Sequence, residues 1–311
     1  MYSIVIPCYK SSHTIRQVVA ETSAKMNELG RTPFEFVLVD DCSPDDGATV
    51  RELHKICEDF DNITVIELAI NSGQHNAMMA GLNYASGDAI ISMDDDMQTH
   101  PSQLPVLFEE FDKGYDVVYG YYKDKKHSGF RNFGSRVNDY MLRVMLSKPK
   151  ELFVSSYFAV RRFIVDDMIR YENSYPYVIG LVLRSAGKIA NVDIDHRERM
   201  EGSSGYTLKK LLNLWFNGFT AFSVKPLRIA TFIGGVSAVI GLLYGLFVII
   251  RRLLFPDAGV MGFAALMSAI VFFGGMILLT LGLIGEYIGR MYISMNNSPQ
   301  YVIRDRWNIE K

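Results

Sequence analysis

Residues 87–98 read Gly-Asp-Ala-Ile-Ile-Ser-Met-Asp-Asp-Asp-Met-Gln, and this stretch decides how the chain is interpreted. The apolar run Ala89–Met93 has the length and composition of a buried strand, which brings three carboxylates to its C-terminal end. Adjacent aspartates repel one another, so the cluster favours a bound cation, and hard ions such as Mg2+ bind carboxylates together with substrate phosphates. Because side chains alternate along a strand, Asp94 and Asp96 are predicted to point to one side and Asp95 to the other. Taken alone, the cluster would favour a solvated acidic turn that caps the next helix.

Strand and helix patterns alternate through the N-terminal part of the chain. The sequence predicts strands over 2–7, 34–39, 63–68 and 89–93, and helices over 13–29, 46–60 and 74–85. This alternation indicates an open parallel α/β sheet with its binding crevice at the carboxyl ends of the strands. Polar residues follow each strand: Pro7-Cys8-Tyr9, Asp40-Asp41, Asn71-Ser72-Gly73 and the three aspartates. Four such strand ends on one rim favour a functional site over an acidic turn, although Asp40 and Asp41 alone could also cap the next turn.

Composition and absent motifs exclude several classes of protein. The 311 residues carry a net charge of −2, so no basic surface indicates a nucleic-acid partner. The three cysteines follow neither a metal spacing nor a disulfide framework, which fits a reducing compartment. The N-terminus enters an apolar strand directly, and no signal peptide is predicted. The chain lacks the glycine-rich dinucleotide motif after its first strand, the P-loop motif and the nucleophile elbow.

Two long apolar runs follow in the C-terminal part of the chain. Ile229–Ile250 contains 22 residues without a charge and Ala258–Gly285 contains 28, and at about 1.5 Å per residue either can cross a bilayer core. The short break between them predicts a hairpin whose two ends lie on the same side. Basic residues flank both outer ends of the pair, whereas the turn carries only Arg251 and Arg252. The larger number of basic residues at the outer ends places the N-terminal domain and both termini in the cytoplasm, by the positive-inside bias. Residues 207–223 mix lysines with leucine, tryptophan and phenylalanine, which favours a helix in the membrane interface.

In combination, the rim motifs resemble the ordered motifs of family 2 glycosyltransferases, and in particular the polyprenyl-phosphate glycosyltransferases. The segments Arg197–Tyr206 and Gly285–Arg290 are similar to further elements of that subgroup. The resemblance implies an α/β GT-A catalytic domain with a Rossmann-like open sheet, followed by interfacial helices and two transmembrane helices. The expected boundaries are 1–205 for the catalytic domain, 206–226 for the interfacial helices, 227–291 for the transmembrane hairpin and 292–311 for a cytoplasmic tail.

The resemblance also implies roles for individual residues. The nucleotide sugar is expected to bind to Pro7, Tyr9, Asp40, Asp41 and Asn71. The expected catalytic residues are Asp94, Asp95 and Asp96, and the expected ligands of a Mg2+ or Mn2+ ion are Asp94, Asp96 and Gln98. The acceptor phosphate is expected to bind to Arg131, Ser156 and Arg199. The chain departs from the family at Lys10-Ser11 and Ile70, so the identity of the base is less defined than the metal site.

Together these features predict an inverting glycosyltransferase of the inner membrane. It is expected to move a sugar from a nucleotide diphosphate sugar, with UDP as the expected nucleotide, to a polyprenyl phosphate, with undecaprenyl phosphate as the expected lipid. A phosphate monoester is already anionic at neutral pH, so no general base is required. The resemblance also favours a homo-oligomer, with a tetramer as the expected state. Two alternatives stay open: transfer to a hydroxyl acceptor, and a membrane scaffold that binds nucleotide sugar without turnover.

Overall fold

The computed structural model describes residues 1–122, 143, 148–149, 151–195, 225–254, 262–296 and 299–308. Contacts divide the chain into two units, residues 1–213 with 297–311 and residues 214–296. The first unit contains a sheet with helices, and the second contains two long helices.

The predicted alternation of strands and helices is confirmed in the first unit. The strands are β1 (Tyr2–Cys8), β2 (Phe34–Asp40), β3 (Ile63–Leu68) and β4 (Ala89–Ser92). The helices between them are α1 (Ile15–Glu28), α2 (Ala48–Asp59) and α3 (Gln74–Tyr84). These strands form because their apolar runs are covered on both faces of the sheet, as is typical of parallel sheets.

Further elements extend this central part. They are a 3-10 turn (Pro101–Gln103), α4 (Leu104–Phe111), β5 (Val117–Tyr122), β6 (Phe158–Arg161), α5 (Arg162–Met168), α6 (Val178–Ser185), β7 (Ile189–Ile194) and β8 (Ile303–Trp307). Among the described residues the strand order is β7-β5-β6-β4-β1-β2-β3-β8.

The sheet is mixed, which differs from the wholly parallel sheet that the sequence predicts. The four central strands are parallel as expected, but β6 runs antiparallel to β4 and β5, and β8 runs antiparallel to β3. The reversal of β6 has a consequence for the site. Because β6 begins where β4 ends, the residues just before β6 reach the same rim as the acidic stretch.

The helix α3 packs closely on the centre of the sheet. A Cβ atom at Gly81 would lie 2.4 Å from Cγ1 of Val5, so a glycine is needed for this approach of helix and strand. The contact fixes α3 beneath β1 and β2, with the first turn of the helix at the rim. Buried apolar residues fill the opposite face of the sheet, including Ile4, Ile6, Phe36, Leu38 and Leu53.

The second unit consists of α7 (Lys225–Leu254) and α8 (Phe263–Met295). Both helices are long and apolar enough to cross a membrane, over Ala230–Phe247 and Phe272–Ile293. Large apolar side chains on them are exposed, for example Phe232 at 73% and Leu278 at 72%. Such surfaces are typical of lipid-facing helices. The predicted interfacial segment, apart from its last two residues, lies outside the described residues, and the domain boundaries stay predictions.

Candidate active site

The three aspartates lie in the loop that follows β4, since this strand ends at Ser92. The strand alternation used to assign their directions therefore does not apply to them. Asp95 instead connects two strand ends, because the backbone N–H of Tyr9 donates to its Oδ2 at 2.9 Å. Burial, and then the negative charges of Asp94 and Asp96, raise the pKa of Asp95 to about 6. Asp95 thus ties the acidic loop to the end of β1.

Asp94 is oriented by two neutral side chains. The hydroxyl of Ser156 donates to its Oδ2 at 2.5 Å, and the amide of Gln74 donates to its Oδ1 at 3.2 Å. Ser156 is held in turn, because its carbonyl oxygen accepts a bond of 2.6 Å from the hydroxyl of Ser92. Ser156 was expected to bind an acceptor phosphate, and the structure places its hydroxyl on a predicted metal ligand. No role was predicted for Gln74, although its position as the first residue of the helix after a rim loop could have indicated one.

Asp96 and Gln98 form a local turn beside these residues. The backbone N–H of Gln98 donates to Oδ1 of Asp96 at 3.0 Å, and Met97 between them has a φ of 60°. The carboxylates of Asp94 and Asp96 are half-buried, so they are accessible from the rim.

These residues fit a hard divalent cation. Two carboxylates and a side-chain amide are oxygen donors of the kind that Mg2+ and Mn2+ prefer, with substrate phosphates completing the coordination. In the part of the chain that the structure describes, no group of three histidine, cysteine or acidic side chains is placed to hold a metal. The expected set has only two such side chains, so an ion bound there would depend on the diphosphate for further ligands.

Asp40 shapes a turn at the end of β2. It accepts bonds from the backbone N–H and the hydroxyl of Ser43, at 3.2 and 2.6 Å, and is 1% exposed. The same hydroxyl accepts a bond of 3.0 Å from the backbone N–H of Lys10. Burial raises the pKa of Asp40. The turn-capping alternative that the sequence left open is the arrangement seen here.

Asp41 joins the ends of three strands. Its carboxylate accepts bonds from the backbone N–H groups of Ser72 at 2.7 Å and Gly73 at 2.9 Å, and its own N–H donates to the carbonyl of Cys8. The side chain of Asn71 donates to the carbonyl oxygen of Asp41 at 3.0 Å. Gly73 has a φ of 87°, a conformation that favours glycine. Burial raises the pKa of Asp41, which is 4% exposed, so this carboxylate belongs to the internal structure of the rim.

Tyr9 is the aromatic residue of the predicted donor site. It follows β1 directly and is 47% exposed, with the ammonium of Lys10 5.8 Å from its ring centre. Pro7 lies within β1, opposite Val39 of β2. Tyr9 can therefore offer a ring face to a planar base, whereas Pro7 sets the path of the strand below it.

The first turn of α3 links the two carboxylate clusters. Gly73 donates to Asp41 and Gln74 donates to Asp94, so adjacent residues contact both sites. The ring of His75 lies 5.3 Å from that of Tyr177, and burial lowers the pKa of His75 to about 4. His75 is therefore neutral at physiological pH. The predicted phosphate ligands Arg131 and Arg199 lie outside the described residues.

Comparison with known proteins decides the family. Residues 3–169 match the family described as Glycosyl transferase family 2. The chain belongs to this family. It is a glycosyltransferase, as its rim motifs predict. Residues 225–291 match a second family, described as the GtrB C-terminal hairpin, which coincides with the two long helices.

Similar proteins span nearly the whole chain. An undecaprenyl-phosphate 4-deoxy-4-formamido-L-arabinose transferase of Shewanella sediminis is 33% identical over 97% of this chain and 91% of its own. The protein of the same name from Proteus mirabilis is 33% identical over 99% of this chain and 94% of its own. Among solved structures, glucosyl-3-phosphoglycerate synthase of Mycobacterium tuberculosis matches with a TM-score of 0.50 and 19% identity, covering 68% of this chain and 75% of that one. This likeness confirms the expected GT-A fold.

Proposed function

We propose that this protein transfers a sugar from a nucleotide diphosphate sugar to a polyprenyl phosphate at the cytoplasmic face of the inner membrane, with inversion at the anomeric carbon. The observation that carries the proposal is the likeness to the undecaprenyl-phosphate transferases, which spans both the catalytic unit and the helical hairpin. Undecaprenyl phosphate is accordingly the proposed lipid. UDP is the proposed nucleotide, and 4-deoxy-4-formamido-L-arabinose is the first sugar to test.

The donor is proposed to bind along the rim, from Tyr9 to the acidic loop. Tyr9 and Asn71 are exposed there and can contact the base and ribose, while Asp40 and Asp41 hold the loops that carry them. Asp94, Asp96 and Gln98 would hold a Mg2+ or Mn2+ ion. When bound, such an ion neutralises charge on the leaving diphosphate. Ser156 and Gln74 support this step by orienting Asp94.

The acceptor needs little activation in this proposal. The phosphate of a polyprenyl phosphate is anionic at neutral pH and can attack the anomeric carbon without a general base. Arg131 and Arg199 are proposed to bind this phosphate, since a guanidinium group can pair two phosphate oxygens at once. Ser156 remains a candidate for the same contact. Its hydroxyl would then interact with both Asp94 and the acceptor phosphate.

Two apolar helices in succession support a hairpin anchor, and both termini are proposed to lie in the cytoplasm. In this proposal the catalytic unit lies on the side where nucleotide sugars are made, while the lipid acceptor is reached from the bilayer. A homo-oligomer, with a tetramer as the expected state, is proposed as well.

The test is a transfer assay with the full-length protein in lipid nanodiscs. Undecaprenyl phosphate and Mg2+ are supplied with UDP-linked 4-deoxy-4-formamido-L-arabinose, UDP-glucose or GDP-mannose, and glycolipid is measured by mass spectrometry. We expect product with one donor, and none when undecaprenol replaces its phosphate. Transfer to undecaprenol would support the hydroxyl-acceptor alternative. Tight donor binding without any transfer would support the scaffold.

A further inference from the structure

The strand β8 is placed beside the donor site, although it comes from the far end of the chain. It pairs antiparallel with β3, with Val65 opposite Trp307 and Leu68 opposite Ile303. β3 leads directly into the loop 69–73, which carries Asn71 and donates to Asp41. The sequence predicted a tail in this region and no strand. The structure makes the segment a part of the catalytic sheet.

The C-terminal segment forms hydrogen bonds with both the N–H and the carbonyl of Ala69, the first residue of this loop. The N–H of Ala69 donates to the carbonyl of Val302 at 2.7 Å, and the carbonyl of Ala69 accepts a bond of 3.1 Å from Nη2 of Arg304. The other terminal nitrogen of this guanidinium, Nη1, lies 2.8 Å from Oε1 of Glu67. Arg304 thus contacts the end of β3, at Glu67, and the start of the loop, at Ala69, with one planar group.

The exposure of Arg304 argues against a large contribution of this ion pair to global stability. The side chain of Arg304 is 56% exposed, and that of Glu67 13%. An ion pair whose cation is accessible to solvent and salt contributes little to the free energy of folding. A guanidinium with two acceptors at fixed angles does, however, fix the direction of the backbone between them. The effect is local to the loop that begins at Ala69. Three residues further on, the backbone N–H of Ser72 donates to Asp41.

We propose that Arg304 is a positioning residue for the nucleotide-sugar site. By fixing Ala69 relative to β3, it places the N–H groups of Ser72 and Gly73 on Asp41 and presents Asn71 to the donor. The segment 299–308 is then a working part of the donor site. This inference rests on the proposed function, since it assumes that the loop faces a nucleotide.

A neighbouring arginine provides a matched control. Arg306 lies two residues along the same strand and donates to the hydroxyl of Tyr84 at 3.2 Å, at the far end of α3 from the rim. Replacing Arg306 removes the same charge from the same strand without changing the contacts of the loop.

The experiment compares Arg304→Ala, Arg304→Lys and Arg306→Ala in the full-length protein. Binding of UDP and of GDP, each with Mn2+, is measured by calorimetry, and amide hydrogen exchange of residues 69–73 is followed without ligand. Loss of one charged hydrogen bond predicts nucleotide binding about three- to tenfold weaker in Arg304→Ala. We expect an intermediate value in Arg304→Lys, which can reach one acceptor at a time, and the wild-type value in Arg306→Ala. In turnover the donor KM should rise while kcat changes much less.

The two readouts separate this inference from the proposed function. Faster exchange at Ser72 and Gly73 in Arg304→Ala alone, together with weaker binding, supports the inference. Equal affinity and equal exchange in the two alanine variants would overturn it. If the wild-type protein binds neither nucleotide while exchange rises in Arg304→Ala alone, the proposed donor fails and the positioning of the loop by Arg304 stands.

Discussion

The rim carries two groups of carboxylates that differ in burial and in their hydrogen-bond donors. Asp41 is 4% exposed and receives two backbone N–H groups, so it is built into the junction of three strands. Asp94 is half-buried, and its contacts include bonds from the side chains of Gln74 and Ser156. The two backbone donors fix buried Asp41 as part of the structure, whereas these two side-chain donors orient Asp94 and can adjust when a ligand arrives. In the sequence both groups are acidic residues that follow a strand. Only their surroundings in the fold distinguish a structural carboxylate from one that can bind a ligand.

The largest expected effect is on turnover, from a change in the half-buried acidic loop. Asp96→Asn removes a charge from the proposed metal site, so we expect glycolipid formation to fall at least about a hundredfold. The free energy of unfolding should change by less than about 0.5 kcal/mol, because the amide oxygen can still accept from Gln98. Asp61→Asn, in an exposed turn before β3, is the control. A tenfold or smaller loss of transfer in Asp96→Asn would argue against this metal site.

The buried group should behave in the opposite way. Asp41→Asn replaces one carboxylate oxygen by an NH2 group. This group faces a backbone N–H and cannot accept a hydrogen bond from it. We expect the free energy of unfolding to fall by about 1–3 kcal/mol, measured by denaturant titration. The donor KM should rise as well, since the loop 69–73 loses its anchor. Unchanged stability would contradict the structural role assigned to Asp41.

A smaller effect is expected from the side chains that orient Asp94. Ser156→Ala removes the bond of 2.5 Å to Oδ2, and we expect Mn2+ affinity in the presence of nucleotide to fall about tenfold, as measured by calorimetry. Ser155→Ala is the matched control, because its hydroxyl donates to the carbonyl of Tyr157 instead. A rise in the KM for the lipid, with unchanged Mn2+ affinity, would favour the acceptor contact over the orientation of Asp94.

The smallest expected effect concerns the helix turn that joins the two groups. His75 has a folded pKa of about 4, below its unfolded value of about 6.5, so the unfolded chain binds its proton more tightly. The contribution of neutral His75 to stability is complete above about pH 6.5 and is lost as the pH falls towards 4. His75→Gln should flatten the pH dependence of the unfolding free energy in this window. An unchanged slope between the two pH values would show that other groups cause it.

Much of the fold could be predicted because the signals are local. The apolar runs and the helical spacing between them gave β1 to β4 and α1 to α3 with small errors at the ends. The antiparallel strands were beyond reach, because pairing partners of β6 and β8 lie far away in the chain. β8 pairs with a strand more than 200 residues earlier, and its sequence, with charges at Arg304, Asp305 and Arg306, has no strand-like apolar run.

The same limit applies to the site. The rim motifs identified the residues that meet there, since the carboxyl ends of parallel strands must converge. They could not distinguish a carboxylate that caps a turn, as Asp40 does, from one that faces a ligand. They also could not show that Gln74 and Ser156 meet on Asp94, since these residues come from different elements.

The family, the succession of central strands and helices, the apolar hairpin and the rim residues can be inferred from the order of the amino acids. These follow from periodicity, hydropathy and motif order, which are properties of neighbouring residues. Three features become visible only in the folded chain: which carboxylates are built into the fold, what orients Asp94 and where the C-terminal segment pairs. Those outcomes depend on burial and on hydrogen bonds between distant parts of the chain, which exist only once the sheet has formed.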